Sequence, residues 1–474
     1  MSGGAERKQP WQKSYLFATL FSAMASSLAW AVQAGYSTPE LLSLGLSRPL
    51  VGLVWLMGPF SGIIVQPLVG MLSDNCRSRF GRRRPVILCA ACSTATALVL
   101  FSQASRIGQH LGDTSGTVAL AVAIAAFMAL DCSINAMMAP TRALVADIVP
   151  EEQQDEASAY ISIHDGLGKA TGYLLGSVNL EREVRGIGGE LQIVYSIAAL
   201  VLLVYCSITF FLATDDCGPC TAARDRPASG GGLSVVWRAF AAMPHLPPAA
   251  MRVFFVQFCN TFAWFSFMVY GTDYFGNHIY GGSAQAPIGS KAIILYEEGL
   301  RTGNFALFAL SISSAVFSRF LMPATSKLGL VPVYIAAELM LMVGLLLMPI
   351  IRSSAMAVAL YAAFGIPFAV SNTIPWMIVT REISSSPDAG LYSATFNLSQ
   401  CLPQIITSAL SGPVLIHFHD NTASVFVMSA VGASLAALLI VILIDEPPHE
   451  SYRELSASVA WSDQGDASER SECA

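Results

Sequence analysis

Apolar residues along this chain form long runs separated by short polar segments. Each run is close to the about 20 residues that an α-helix needs to cross a bilayer, where the backbone must satisfy its own hydrogen bonds. The runs are apolar on every face, whereas helices of a soluble protein carry a polar face. The pattern therefore predicts twelve membrane helices, at 14–35, 50–72, 86–105, 117–138, 157–177, 192–213, 250–271, 303–323, 331–350, 354–379, 392–416 and 423–444.

The composition of the chain agrees with a membrane protein. Its 474 residues are 54% hydrophobic and 12% charged, whereas soluble domains average about 25% charged residues. The ten cysteines show no spacing typical of a disulfide framework. Cys217 and Cys220 form a CGPC pair, but residues 214–248 offer neither the βαβ context nor the helix start of a redox site, so we interpret the pair as coincidental.

Basic residues indicate which loops face the cytoplasm. With twelve helices, the arginine-rich connection between spans two and three lies on the same side as the basic amino terminus. Loops rich in Lys and Arg stay inside, so both termini are expected in the cytoplasm. The expected segments are an amino terminus 1–13, a six-helix half 14–213, a cytoplasmic linker 214–249 with an amphipathic piece at 234–242, a second six-helix half 250–445 and a disordered acidic tail 446–474.

Two halves of six spans are typical of transporters whose halves rock about a central site. In such proteins, equivalent spans are often interrupted near the middle of the bilayer. Span four contains Pro140, and span ten contains Pro367 and Pro375. We therefore expect a break in each of these two spans.

Span four carries polar residues within an apolar run, in the stretch LDCSINAMMAPTR. At about 100° per residue, Asp131, Asn135 and Arg142 lie within about 40° of one another on one face. An ionisable group inside a bilayer costs at least about 2.5–3.5 kcal/mol, so this face is expected to meet a partner or a water-filled cavity. Asp131 and Arg142 are about 16 Å apart along the axis, too far for a direct pair. Asp147 lies about 160° away, with the loop arginines.

This face of span four has two interpretations. In one, Asp131 and Arg142 each pair with another helix and only hold the bundle together. In the other, Asp131 binds and releases a proton while it contacts substrate hydroxyls, and Arg142 supplies a fork-shaped donor and a countercharge. Burial favours the neutral form of a carboxyl group and a nearby arginine favours its ionised form, so opening and closing a cavity would switch the affinity for a proton.

Spans five and seven carry further polar and aromatic residues. Asp165 and Lys169 on span five are spaced i, i+4, which favours a pair within one helix. Trp264 on span seven is either a platform for the apolar face of a sugar or an aromatic residue of the membrane interface. Asp273 is expected near the outer end, where it would gate. The glycines of span five suit close helix packing: Gly166, Gly168, Gly172 and Gly176.

Uncharged amides lie on three other spans. Asn397 and Gln400 form a hydrogen-bonding stripe on span eleven, at helical spacing. Asn372 lies between the two prolines of span ten, and Gln33 is a lone amide on span one. Amide groups on several spans are suited to the hydroxyl rim of a sugar.

Six stretches of the sequence resemble one transporter family: GPFSGIIVQPLVGMLSDNCRSRFGRRRP, DCSINAMMAPTRALVADI, FAWFSFMVYGTDYFGNHIYGG, EEGLRTGN, GIPFAVSNTIPW and NLSQCLPQIITSALSGP. They are similar to the sucrose/proton symporters of plants and to related animal and fungal sugar transporters of the glycoside–pentoside–hexuronide group, within the major facilitator superfamily. The stretches occur in both halves and in the same order, so the resemblance covers nearly the whole membrane region.

The resemblance implies roles for particular residues. Asp131 would be the protonatable carboxylate and would contact sugar, and Arg142 would contribute to sugar binding or coupling. Arg301, in the stretch EEGLRTGN, matches another arginine implicated in transport. The cytoplasmic gating network would consist of Asp74, Arg82 and Arg83.

The chain departs from the plant pattern at several positions. Thr302 follows the arginine where plant members often have an acid, Lys169 stands near a usual amide, and Ile134 replaces one of two adjacent asparagines. These departures leave the sugar open: sucrose, maltose, another glucoside, a hexose or a polyol.

Together these features predict an all-α membrane protein of the major facilitator superfamily, with 12 transmembrane helices in two six-helix halves and both termini cytoplasmic. The expected function is a proton-coupled symporter for sucrose or a related glucoside, working by alternating access. The alternatives are another small solute, coupling to Na⁺, or a sugar sensor that does not transport. No enzyme activity and no cofactor besides the proton gradient are expected. We expect a monomer in the plasma membrane, or in a vacuolar or other internal membrane, with a sugar and lipid as partners and no nucleic acid.

The expected site residues fall into two groups. Those expected to bind substrate are Asp131, Asn135, Arg142, Trp264, Asn372, Asn397, Gln400 and Gln33, of which Asp131 also carries the proton. Those expected to gate or couple are Asp74, Arg82, Arg83, Asp147, Asp273 and Arg301.

Overall fold

The structure is a computed structural model that describes residues 12–150, 153–180, 189–213, 232–383, 386 and 388–445. Most of the amino-terminal segment, the linker up to residue 231 and the acidic tail lie outside the described residues, and so do Cys217 and Cys220. Within the described residues the regular elements are helices, besides one isolated β-bridge between Ser78 and Gly81.

The first half of the chain contributes nine described helices. They are α1 Lys13–Thr19, α2 Phe21–Ser43, α3 Arg48–Trp55, α4 Met57–Asp74, α5 Arg84–Ser102, α6 Ala104–His110, α7 Thr117–Ile148, α8 Gln154–Ser177 and α9 Glu190–Leu212. A short helix of the linker follows, α10 Gly232–Ala242, which confirms the helical piece expected there. The second half contributes α11 Pro248–Asp273, continued by a π-helical turn Tyr274–Ile279, then α12 Lys291–Leu328, α13 Leu330–Leu347, α14 Ser354–Ile383, α15 Ala389–His417 and α16 Ala423–Leu443.

Nine spans among the described residues are long and apolar enough to cross a membrane. They are α3 with α4, α5, α7, α9, α11 with its π turn, α12, α13, α14 and α16. The pair α1 and α2, bent by 42° at its break, makes a tenth if it is counted as one span. Helices α8 and α15 coincide with the predicted spans five and eleven but are more polar. Every predicted run thus coincides with a helix or a consecutive helix pair, apart from the last one to three residues of the runs 192–213, 331–350 and 423–444.

The predicted breaks in spans four and ten are wrong. Helix α7 continues through Pro140, and α14 continues through Pro367 and Pro375. A proline inside a helix removes one backbone hydrogen bond, and in a membrane the remaining bonds have no water to replace them, so the helix persists. The first two spans are interrupted instead, at Leu20, which has no proline nearby, and at Leu56, three residues before Pro59.

Helices α2 and α8 pack closely because α8 presents glycines to α2. A Cβ atom at Gly172 would lie 2.7 Å from the Ala31 Cβ, and one at Gly168 would meet the backbone of Met24 and lie 2.9 Å from the Ser27 Cβ. Gly166 faces open space and has no such role. The expected close packing is therefore confirmed for the glycines that face α2, and it positions the polar residues of α8 beside those of α2.

The two halves meet along several helix pairs. Helix α2 packs against α11, α8 against α12, and α15 against α3 and α4. The rings of Trp55 and Phe265, one from each half, are 6.4 Å apart in the largest apolar cluster. Helix α10 packs against α4 and α15. The polar faces of α7, α8, α14 and α15 are thereby brought to the space between the halves.

Candidate functional site

The buried carboxylate of Asp131 lies in the middle of α7 and is 5% exposed. Gln33 of α2, which is fully buried, donates a hydrogen bond of 2.9 Å from its Nε2 to the Asp131 Oδ1. The Asp131 Oδ2 and the Gln33 Oε1 are buried and have no partner among the described residues. Because buried polar atoms are normally paired, this couple has capacity for a proton, a water molecule or a ligand hydroxyl.

Asn135 lies one helical turn from Asp131 and connects α7 to α4. Its Oδ1 accepts a hydrogen bond of 2.6 Å from the Gln66 Nε2, and its Nδ2 donates to the Ser61 Oγ at 2.8 Å. The same Nδ2 donates to the Asp131 carbonyl at 3.0 Å. A Cβ on Gly62 would lie 3.8 Å from the Asn135 Oδ1 and 3.4 Å from the Cys401 Sγ of α15. Asn135 therefore lies where the first half approaches the second.

An ion pair on α8 lies against α2, the helix that carries Gln33. Lys169 donates to the Asp165 Oδ2 at 2.7 Å, which confirms the expected pair within one helix, and Ser27 of α2 donates to the Asp165 Oδ1 at 2.5 Å. The Lys169 ammonium is also 5.6 Å from the ring centres of Trp30 in the first half and Phe368 in the second. Lys169 is thus a cation that contacts aromatic rings from both halves.

Arg142 lies further along α7, and its side chain is exposed. It interacts electrostatically with Asp165 but makes no hydrogen bond or ion pair among the described residues. Its guanidinium therefore keeps its donors available to a molecule in the space between the halves.

Trp264 of α11 lies inside the protein and not at a membrane interface. It is 7% exposed, and its ring packs edge-on against Phe368 at 5.0 Å. Its Nε1 is buried without a partner among the described residues. The alternative of an interfacial aromatic residue is therefore wrong for Trp264. Through Phe368 the ring adjoins Lys169, which places it on the wall opposite α8.

The three amides expected in the second half do not share hydrogen bonds with one another among the described residues. Asn372 of α14 is exposed and donates to its own helix at the Phe368 carbonyl, 2.8 Å away. Asn397 of α15 lies 3.6 Å from the Cys401 Sγ, beside Gly62 of α4. Gln400 is half-buried and makes no hydrogen bond among the described residues. Of the three, Asn372 lies one helical turn from Phe368, whereas Asn397 lies near the contact between α15 and α4.

Ion pairs join the two halves at one end of the bundle, which we call the closed end. The Arg48 Nε of α3 lies 3.0 Å from the Asp273 Oδ2 of α11, and Asp273 is fully buried. Tyr296 also donates to Asp273, at 2.7 Å. Arg301 of α12 lies 2.7 Å from the Glu190 carboxylate of α9. Asp273 and Arg301 therefore belong to the closed end, apart from the Asp131 group.

The opposite end, which we call the arginine-rich end, carries a second network. Asp147 lies 2.8 Å from both Arg82 and Arg83, and Arg83 also pairs with Asp74. Arg83 donates to the Ser73 Oγ at 2.5 Å. The structure thus brings together Asp74, Arg82, Arg83 and Asp147, all from the first half. The exposed residues Arg142 and Asn372 lie nearer to this end of their helices than to the closed end.

One buried acid, Glu338 of α13, is not among the site residues expected from the sequence. Its Oε1 accepts hydrogen bonds from Asn260 at 2.7 Å and from Ser371 at 3.1 Å, and its Oε2 has no partner among the described residues. The signal was present, since Glu338 is a lone acid in the run LVPVYIAAELMLMVGLLL. Its partners Asn260 and Ser371 are uncharged, so neither stands out in its run as an ionisable residue does.

Comparisons with known proteins agree on the kind of molecule. Residues 15–406 match the model of the Major Facilitator Superfamily. Sucrose transport protein SUT3 of Oryza sativa subsp. japonica is 29% identical over 96% of this chain and 97% of its own length. The general alpha-glucoside permease of Schizosaccharomyces pombe is 32% identical over 66% of this chain and 58% of its own length.

Solved structures share the fold at low sequence identity. The crystal structure of the nucleoside transporter NupG is 14% identical, with a TM-score of 0.61, and covers 90% of this chain and 99% of its own. A partially occluded inward open structure of the xylose transporter XylE from E. coli is 12% identical, with a TM-score of 0.59, and covers 91% and 98%. On the match to most of its length, the chain belongs to the Major Facilitator Superfamily.

Proposed function

We propose that the protein is a proton-coupled sugar symporter, for sucrose or a related glucoside, working by alternating access. Its family makes it a multi-pass membrane transporter and not an enzyme. The names of the relatives, sucrose transport proteins and an alpha-glucoside permease, support a sugar as substrate. The observation that carries the proposal is the Asp131 carboxylate, buried beside an amide donor with one oxygen unused.

In the proposed site, Asp131 takes up the proton and Gln33 orients the carboxylate. Protonation neutralises the buried carboxylate and so removes the cost of desolvating its charge. It also makes Asp131 a hydrogen-bond donor to a sugar hydroxyl, whereas the ionised form only accepts hydrogen bonds. Arg142 supplies donors to hydroxyls, and Trp264 with Phe368 offers an apolar wall to the C–H face of the ring. The remaining substrate contacts would come from Asn135, Asn372, Asn397 and Gln400.

The proposed topology has 12 membrane helices. The ten spans counted with the bent pair become twelve when α8 and α15 are added, since both lie between spans and match predicted runs. An even number puts both termini on one side, and the arginine-rich loop puts that side in the cytoplasm. The halves 14–213 and 250–445, the linker 214–249, a monomeric state and the plasma membrane, or an internal one, are part of this proposal.

Alternating access would use the two ends differently. The closed end is held by Arg48 with Asp273 and by Arg301 with Glu190, and opening it requires both pairs to separate. In the proposed orientation the closed end faces outward, so the described state receives sugar from the cytoplasm or releases it there. The network of Asp74, Arg82, Arg83 and Asp147 lies within the first half, and it would contact the second half when the arginine-rich end closes.

The test is uptake of labelled sucrose, maltose and glucose into proteoliposomes, with and without an inward proton gradient. We expect accumulation of sucrose or maltose above the external concentration only with the gradient. The sugar proposal is wrong if none of the three is taken up and none competes. The coupling proposal is wrong if a sodium gradient drives accumulation and a proton gradient does not.

A further inference from the structure

The buried acid Glu338 marks a meeting point of three helices in the second half. It lies in the middle of α13 and is fully buried. Its Oε1 accepts from the Asn260 Nδ2 of α11 at 2.7 Å and from the Ser371 Oγ of α14 at 3.1 Å. Both bonds go to the same oxygen, and the buried Oε2 has no partner among the described residues. The arrangement leaves Oε2 able to hold a hydrogen atom.

The groups that surround Glu338 do not supply a positive charge. Its ionisable neighbours are the Tyr334 phenol on its own helix and the Cys259 thiol on α11, both neutral at pH 7. Helix α16, which packs along α13, contains no ionisable side chain. On α14, Tyr361 donates to a backbone carbonyl, and Arg381 and Glu382 are exposed. On α12, the two basic residues near the carboxyl end, Arg319 and Lys327, are exposed as well.

An ionised Glu338 would therefore be a single negative charge inside the protein at membrane depth. Such a charge is expensive unless it is paired. A neutral carboxylic acid fits the same contacts, because its carbonyl oxygen accepts both hydrogen bonds and its hydroxyl occupies the Oε2 position. A small cation on Oε2 is the competing solution.

Glu338 also adjoins the wall of the space between the halves, which we call the central space. Ser371, which bonds to it, precedes the exposed Asn372, and Asn260 lies one helical turn from Trp264. A hydroxyl group both donates and accepts, so Ser371 is placed to pass a proton between Glu338 and water near Asn372. Asp131 lies in the other half and shares no partner with Glu338.

We propose that Glu338 is a second proton-binding site, separate from Asp131, that holds its proton on Oε2 in the described state and exchanges it with water of the central space through Ser371. The proton leaves as a hydrated proton and the carboxylate remains, so the step needs no other reactant. Protonation at this site keeps α11, α13 and α14 packed together. The proposal stands without the proposed sugar transport, because the proton is detected on the purified protein without sugar.

The test is the thermal unfolding midpoint of the purified full-length protein between pH 5 and pH 9, for wild type and Glu338→Gln. The glutamine keeps an acceptor oxygen and places an NH₂ where the acid has its hydroxyl, so it mimics the neutral form at every pH. A glutamate in the unfolded chain is ionised above about pH 4.3. If only the folded state holds this proton, the folding equilibrium constant falls about tenfold for each pH unit of increase, until the folded state also releases the proton.

We expect the midpoint of wild type to fall relative to that of Glu338→Gln as the pH rises. Asp131→Asn is the control variant. The midpoint of Asp131→Asn should fall with pH relative to that of the double variant Asp131→Asn/Glu338→Gln, by as much as wild type falls relative to Glu338→Gln. A difference that stays constant with pH, or that grows in favour of wild type at high pH, overturns the proposal. Stabilisation of wild type but not of Glu338→Gln by added Na⁺ also overturns it, in favour of a cation site.

Infrared difference spectra between pH 5 and pH 9 provide a readout that needs no glutamine variant. We expect a carbonyl band of a buried carboxylic acid that remains in Asp131→Asn and shifts in Ser371→Ala, which removes one hydrogen bond to Oε1. The loss of every such band in Asp131→Asn would overturn the proposal, because Asp131 would then be the one buried acid that titrates.

Discussion

At the residue scale, the centre of the molecule is defined by polar groups whose hydrogen-bonding capacity is only partly used by the described residues. Asp131 and Gln33 each keep one buried oxygen unpaired, the Trp264 N–H is unpaired, and Arg142 is exposed. An unpaired buried polar group costs about 1–3 kcal/mol. Such costs persist where a ligand, a proton or water satisfies the group in another step, which favours a binding site over a structural role for these residues.

The role of Arg142 can be separated from a structural one by Arg142→Lys. Lysine keeps the charge but loses the planar fork that offers paired donors to neighbouring hydroxyls. We expect the KM for sugar uptake to rise about tenfold, the loss of roughly one hydrogen bond to a charged group. The thermal midpoint should stay within a degree or two of wild type, because Arg142 holds no other helix through a hydrogen bond among the described residues.

The matched control is Arg106→Lys, an exposed arginine on α6. It should change neither KM nor the midpoint. A large drop in the midpoint of Arg142→Lys with an unchanged KM would support the interpretation that Arg142 only holds the bundle together.

At the element scale, the apolar runs predict where the helices lie but not how far they extend or where they are interrupted. Helix α7 continues ten residues beyond the predicted run 117–138, to Ile148, because its carboxyl-terminal end is held by the ion pairs of Asp147. Those partners come from a loop far away in sequence. The break at Leu56 does have a local signal that the apolar run conceals, because Pro59 cannot donate the helical hydrogen bond to the Trp55 carbonyl. Pairs such as Arg48 with Asp273, like those of Asp147, are invisible before the chain is folded.

The close packing of α2 and α8 predicts opposite effects for two neighbouring glycines. Gly168→Ala would place a Cβ against the backbone of Met24, and overpacking of this kind costs about 1–3 kcal/mol. Gly166→Ala meets open space, where alanine favours a helix over glycine by about 0.5–1 kcal/mol. We expect the thermal midpoint to fall in the first variant and to stay equal or rise in the second. Equal losses in both would contradict the described packing.

At the scale of the whole molecule, the two ends of the bundle are held in different ways. Ion pairs from opposite halves meet at the closed end, while the arginine-rich network of Asp147 lies within the first half. A rocking motion therefore has to separate Arg48 from Asp273, where the acid is fully buried. Removing one partner of such a pair at an interface costs about 2–5 kcal/mol. Since about 1.4 kcal/mol is a tenfold change in population, one substitution is enough to shift the balance between open and closed ends.

Asp273→Asn should open the closed end. Spin labels at the exposed positions Leu111 and Ile288, one in each half, measure the distance across that end. We expect a longer-distance component to appear or grow in Asp273→Asn. Asp113→Asn is the control, because Asp113 is an acid at the same end whose hydrogen bonds stay within the first half. An unchanged distance distribution in Asp273→Asn would contradict a gating role for the pair.

The assignment of the coupled proton to Asp131 is tested most directly by Asp131→Asn in proteoliposomes, with Glu382→Gln, an exposed acid at the end of α14, as control. Two quantities are compared: accumulation of labelled sugar under an inward proton gradient, and exchange of labelled for unlabelled sugar without a gradient. We expect Asp131→Asn to lose accumulation but keep measurable exchange, and Glu382→Gln to keep both. Full gradient-driven accumulation by Asp131→Asn would contradict this assignment.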